Sequence, residues 1–124
     1  MILVTAANGN QGRLLVPKLV AAGLSVRGCV LSEDSARSLL GMGVADVVVG
    51  DICDPAVLAR ALDGVKSVYH VGPTAHPRER EMGLAMVDAS RAAEVGHFVF
   101  SSVLHAISAD LIQHGYKRDI EEHI

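Results

Sequence analysis

Thr5-Ala6-Ala7-Asn8-Gly9-Asn10-Gln11-Gly12 follows the apolar run Met1-Ile2-Leu3-Val4 and precedes an amphipathic stretch. That order predicts a glycine-bearing turn from a strand into a helix. Gly9 and Gly12 carry no Cβ, so the backbone there can turn tightly and come close to a ligand. The free N–H groups and positive dipole of the following helix favour a pyrophosphate. The turn therefore points to nucleotide binding, and the competing reading gives its glycines to strand–helix geometry alone.

The rest of the chain repeats the same unit. Residues 26–31, 44–49, 67–71 and 98–102 are short, mostly Val-rich runs separated by stretches of helical character. Their near-continuous apolarity suits strands covered on both faces, which predicts an α/β fold with a parallel, doubly wound sheet. In the first helix, Leu15, Leu19 and Ala22 share a face and Gly23 falls just past its end. Asp54 caps a helix that opens on Pro55, turns Val57, Leu58, Ala61 and Leu62 inward and stops at Gly64. A longer helix follows Pro77, with Met82, Ala85, Met86, Ala89 and Ala93 on a packing stripe that ends near Gly96.

A chain of 124 residues that is 50% hydrophobic makes one domain, 1–124, with a real core. A net charge of −3 without a Lys/Arg run speaks against direct nucleic-acid binding. No apolar run is long enough to cross a bilayer and no signal pattern precedes the first strand, so no membrane association and a cytoplasmic location are expected. Cys29 and Cys53 offer no disulfide framework and are read as free thiols. His70, His76, His97, His105, His114 and His123 are scattered without ligand spacing, so no metal is expected.

TAANGNQG at 5–12, GDICD at 50–54, VYHVGP at 68–73, SSVLH at 101–105 and KRDIEEHI at 117–124 together resemble the NmrA-like branch of the atypical short-chain dehydrogenase/reductase family, from end to end. The resemblance implies an NAD(P)-binding Rossmann fold of five strands in order 3-2-1-4-5. It also implies a membership of reductases and redox-sensing regulators. Members of that family continue past the fifth helix into a small substrate-binding region, whereas this sequence stops at Ile124. The expectation is a nucleotide-binding part without the usual C-terminal substrate region.

Carried over residue by residue, the resemblance assigns cofactor contacts to Ala6, Asn8, Gly9, Asn10, Gln11 and Gly12. Ala6 replaces the family's first glycine, which is costly if φ there is positive. Asp51 is placed to accept from the adenine amino group, with Ile52 beside the ring; the plain alternative is that Asp51 caps its loop. Gly72 and Pro73 end the fourth strand where a cofactor's ribose would pass. Leu31 stands where many relatives have arginine, and Ser32, Glu33 and Asp34 follow. This leans towards NAD(H), while Arg37 is within reach of a 2′-phosphate. Helix initiation by Ser32 and the two acids is an equal alternative, so NAD against NADP stays open.

For catalysis, Lys117 and Ser102 (or Ser101) match the family's lysine and serine. The residue four before Lys117 is Gln113 in place of the family's tyrosine, and Tyr116 points about 100° away on a helix. Lys117 either holds the nicotinamide ribose or pairs with Glu121 at i+4. The main reading is an NAD(P)-binding redox sensor or regulator acting on a regulatory protein; the first alternative is an NAD(P)H-dependent oxidoreductase acting on a small carbonyl or quinone, and the second a truncated structural module without tight ligand binding. A homo-oligomer is expected through the helix after Pro77 and a terminal helix from about Ile107. Met82, Met86, Leu111, Ile112, Ile120 and Ile124 are its candidate contacts.

Overall fold

The computed structural model describes residues 1–107 and 111–124. Strands β1 (Ile2–Thr5), β2 (Val26–Val30), β3 (Asp46–Val49), β4 (Ser67–Val71) and β5 (His97–Ser101) form one parallel sheet in the order β3-β2-β1-β4-β5. The expected order 3-2-1-4-5 is the observed one. Helices α1 (Gly12–Ala21), α2 (Glu33–Leu40), α3 (Pro55–Leu62), α4 (Glu79–Ala92) and α5 (Ile112–His123) connect and follow the strands.

Each face of the sheet has its own core. Val4, Val26 and Val30 meet Val16 of α1 and Ala36 and Leu39 of α2 on one side. Leu3, Cys29, Val48 and Val68 meet Val57, Leu58, Ala61 and Leu62 of α3 and Met86 of α4 on the other. The caps act as their residue types predict. Asp54 accepts from the Ala56 N–H at 2.8 Å ahead of Pro55. Ser32 is extended and its hydroxyl accepts from the Ser35 N–H.

Three expectations change. In α1 the fully buried side chain is Val16, while Leu15 and Leu19 are half-buried and Ala22 is exposed. The inward direction thus lies one position from the Leu15–Leu19–Ala22 face. The last helix begins at Ile112, with Ile107 in a turn; residues 108–110, which the expected start included, lie outside the described residues. Met82, Met86 and Ile120 are also not available to a second copy. Met86 is 0% exposed in the core, and Ile120 packs on Gly83 where α5 crosses α4. Of the candidate contacts, Leu111, Ile112 and Ile124 are exposed.

A charged residue inside β2 serves the packing. Arg27 is buried and its Nη1 donates to the carbonyls of Arg60 (3.0 Å), Ala61 (3.1 Å) and Asp63 (2.7 Å). Its Nε donates to Asp46 Oδ2 at 2.7 Å. The guanidinium thereby satisfies the carbonyls at the end of α3, where a cation also meets the negative end of the helix dipole. Arg27→Met leaves those carbonyls buried without a donor and is expected to cost roughly 2–4 kcal/mol. Urea denaturation measures this; a loss within error would mean that water replaces the guanidinium.

Candidate functional site

The strand–turn–helix segment expected from residues 5–12 is present. Its first position is strained, because Ala6 adopts φ +46°, a left-handed conformation that disfavours an L side chain with a Cβ. Gly12 is required by the packing of the chain itself. A Cβ there would lie 2.5 Å from the Ala7 carbonyl carbon and 2.6 Å from the Ala6 oxygen, so Gly12 lets α1 close onto its own turn. Arg13 and Leu14 N–H groups bond back to the Gly9 and Gln11 carbonyls at 3.0 and 3.1 Å. Among the described residues the N–H groups of Gln11 and Gly12 donate to no backbone carbonyl.

A cleft of ≈ 190 Å³ opens over the C-terminal ends of β1 to β4. It lies where the strand order reverses, the place at which open α/β sheets take ligands. Of the expected contacts, Ala6, Asn8, Leu31, Asp51, Ile52 and Pro73 line it. Gly9, Asn10, Gln11, Gly12, Ser32, Gly72 and Lys117 do not line it. Ser35 lines it as well, a residue that sequence reasoning left out.

At the β2–β3 end, Asn8 Nδ2 donates to Ser35 Oγ at 2.8 Å and Ser32 Oγ donates to the same oxygen at 2.9 Å. Leu31 is 75% exposed beside them. Arg37 pairs with Asp34 one helical turn away. Asp51 both caps its loop and faces the cleft: Oδ1 accepts from the Cys53 N–H and Oδ2 from Arg78 Nη1, each at 2.8 Å. The Cys53 N–H, then the guanidinium, hold this carboxyl below the usual carboxylate range. Arg78 also grips both oxygens of Glu81 at 2.9 Å, which fixes the loop ahead of α4 against the end of β3.

Gln11 turns its side chain inward. Its Oε1 accepts from Ser101 Oγ at 2.8 Å and Tyr69 Oη at 3.3 Å, tying the turn to β5 and β4. Asn10 is exposed.

Beneath the β4–β5 end is a buried polar layer. Lys117 Nζ lies 2.9 Å from Glu79 Oε1 as an ion pair, 3.2 Å from the Ser101 carbonyl and 4.9 Å from the centre of the Phe100 ring. Lys117 is 4% and Glu79 0% exposed. Glu79 Oε2 accepts from the Ala75 N–H at 3.1 Å. Gly72 roofs the pair, and a Cβ on it would stand 3.4 Å from both Nζ and Oε1. Of the two alternatives for Lys117, the pair with Glu121 is not formed: Lys117 pairs with Glu79, and Glu121 accepts from Ser102 Oγ. The ammonium therefore touches the carbonyl of Ser101, while the Ser102 hydroxyl is turned to α5.

His70 is 0% exposed beside this layer, with Nδ1 2.9 Å from Thr5 Oγ1 and its ring stacked on Phe100. Burial, then the Lys117 charge, press its pKa down to about 3, so the imidazole is neutral. The Thr5 hydroxyl accepts from the Val71 N–H at 2.9 Å, which locks β1 to β4 at the floor of the site.

Two outcomes follow. Ala6→Gly relieves the left-handed strain and is expected to raise stability by about 1 kcal/mol without weakening ligand binding, whereas Gly12→Val is expected to disrupt the turn and lower both. Thermal melts and titrations of the two variants separate these effects. His70 provides the second. Unfolded imidazole binds its proton near 6.5 and the folded one near 3, so stability falls as pH drops between those values, by about 1.4 kcal/mol per unit. His70→Gln is expected to flatten urea stability between pH 6.5 and 4; equal slopes would assign the acid sensitivity elsewhere.

Similarity to known proteins agrees with this arrangement. The chain is 35% identical over 115 residues to the NAD(P)H azoreductase of Xenophilus azovorans, covering 93% of this chain and 40% of that one. The fold superposes on an Escherichia coli NADPH-dependent quinone oxidoreductase complexed with NADPH at a TM-score of 0.85 and 24% identity, covering 98% of this chain and 44% of that one. It superposes on the Citrobacter sp. triphenylmethane reductase complexed with NADP(H) at 0.87 and 25%, covering 99% and 44%. The chain thus spans less than half the length of each. The sequence profile of the NmrA-like family matches residues 1–124, and the chain belongs to the NmrA-like family.

Proposed function

We propose that this chain is the dinucleotide-binding part of an NAD(P)H-dependent oxidoreductase that passes hydride to a quinone or azo acceptor. The observation that carries the reading is the cleft over β1 to β4, with an acceptor at Asp51, apolar walls at Leu31, Ile52 and Pro73, and the start of α1, where the Gln11 and Gly12 N–H groups donate to no backbone carbonyl, beside it. These residues fit an adenine, its ribose and a pyrophosphate in that order across the sheet. A reduced nicotinamide bound there would supply the hydride. The names of the azoreductase, quinone oxidoreductase and triphenylmethane reductase support an oxidoreductase over a sensor.

The β4–β5 end supports the acceptor class. Gln113 in the first turn of α5 cannot act as a phenol does, and the Lys117 ammonium is held by Glu79 under Gly72. Reduction of an aldehyde creates a localised alkoxide that needs a proton donor in contact. A quinone or azo group spreads the incoming charge over conjugated atoms, and water can deliver the proton afterwards. Glu79 and Lys117 act here through shape and charge: Glu79 holds the Ala75 N–H, and the pair keeps a cation beneath Gly72.

With either reduced nicotinamide present, loss of its absorbance is expected with a quinone and not with an aldehyde. Gln113→Tyr is expected to raise aldehyde turnover, by up to the roughly 10²–10⁴-fold that general acid assistance supplies. Cofactor binding without turnover of either acceptor would favour the sensor.

A further inference from the structure

We infer that the cleft selects NAD(H) over NADP(H), with Ser35 as the residue that meets the adenosine ribose 2′-hydroxyl and Leu31 as the residue that leaves a 2′-phosphate unmatched. The inference rests on the dinucleotide-binding reading and deepens it.

Ser35 lines the cleft and is held in place by two donors. Asn8 Nδ2 reaches its Oγ at 2.8 Å and Ser32 Oγ at 2.9 Å. Those bonds occupy both lone pairs of the Ser35 hydroxyl and leave its hydrogen as the outgoing donor. A ribose hydroxyl oxygen matches one such donor. The Ser32 side chain is fixed in turn, because its oxygen accepts from the Ser35 N–H at 3.3 Å as the cap of α2. The platform is therefore set before any ligand arrives, and a rigid neutral donor discriminates better than a mobile one.

Charge decides against the phosphate. Among the described residues that line the cleft none is lysine or arginine. Glu33 and Asp34 occupy the first turn of α2 and offset the positive end of its dipole. Arg37, the cation that sequence reading placed within reach, is paired with Asp34, so these three side chains sum to one negative charge. Arg78 is committed to Asp51 and Glu81. A dianionic phosphate brought to Ser35 would lose water, meet a net negative helix start and find no guanidinium for a bidentate bond. Leu31, just past the end of β2 and lining the cleft, presents an exposed apolar side chain there.

The rival is Arg13, exposed in the first turn of α1. If it reaches a 2′-phosphate, the preference reverses, and Arg13→Gln abolishes the reversal.

The test is calorimetric titration of the chain and of Leu31→Arg, Ser35→Ala and Arg13→Gln with NADH and with NADPH, with circular dichroism to check folding. NADH is expected to bind the parent about tenfold or more tighter than NADPH, and Leu31→Arg to shift the NADPH-to-NADH affinity ratio by about tenfold towards NADPH. Ser35→Ala is expected to weaken NADH by about three- to tenfold and to leave NADPH within about twofold. A parent that binds NADPH as tightly as NADH, or more tightly, overturns the inference and keeps the dinucleotide reading. A folded parent that binds neither cofactor removes the dinucleotide reading itself.

Discussion

The closure of α1 onto its own turn is the contact on which the site depends. With hydrogen alone at Gly12, the first residue of the helix lies against the Ala6–Ala7 peptide, and Ala7 is fully buried as a result. That approach aims the α1 N-terminus at the C-terminal ends of the strands and sets Asn8 beside α2, where it meets Ser35. Ala6 bends through a left-handed conformation to allow it, at a cost that the surrounding packing must offset. The turn is thus held by contacts on both sides: Gln11 to β4 and β5, Asn8 to α2.

The opposite end of the sheet is organised by charge. Burying Glu79 and Lys117 is expensive in water lost, and their mutual attraction offsets this only with further partners. Here the Ala75 N–H, the Ser101 carbonyl and the Phe100 ring supply them. The pair links α4, α5 and the end of β5, and it sits directly below Gly72. Surface pairs across the same helices, Arg80–Asp119 at 2.6 Å and His123–Asp88 at 2.7 Å, add little by comparison because they remain exposed to solvent. The neutral His70 beside them completes a floor in which polar groups are buried and positioned before a ligand binds.

Strand positions and two helix caps were legible in the sequence because each has a local cause, whereas the sheet order 3-2-1-4-5 came from the family resemblance. Val-rich runs mark strands covered on both faces, and Asp54-Pro55 and Ser32 mark helix starts. What escaped has non-local causes. Arg27 interrupts an apolar strand, and only the tertiary arrangement shows the carbonyls of α3 waiting for it. Lys117 has a carboxylate at i+4, yet its partner is Glu79 on another helix. Met82 and Met86 mark an apolar face correctly, but periodicity does not say whether that face meets the same chain or another copy. Ser35 reads as an ordinary helix residue until Asn8 and Ser32 are seen to converge on it. The signal that could have found it was the spacing Ser32–Ser35 after a strand, where a capping hydroxyl and its N3 residue lie side by side.

The link from the Thr5 hydroxyl to Val71 has a consequence for how the chain acquires its shape during synthesis. β1 is the central strand, yet it is made before the other four, and its neighbour β4 is made after β2 and β3. On the ribosome, a three-stranded α/β intermediate can form early, but one edge of β1 stays open until residues 67–71 emerge and dock. The edge that waits longest becomes the floor of the cleft. Vectorial growth therefore completes the ligand site late, and the segment around Thr5 is the part of the nascent chain most in need of protection from pairing with another strand.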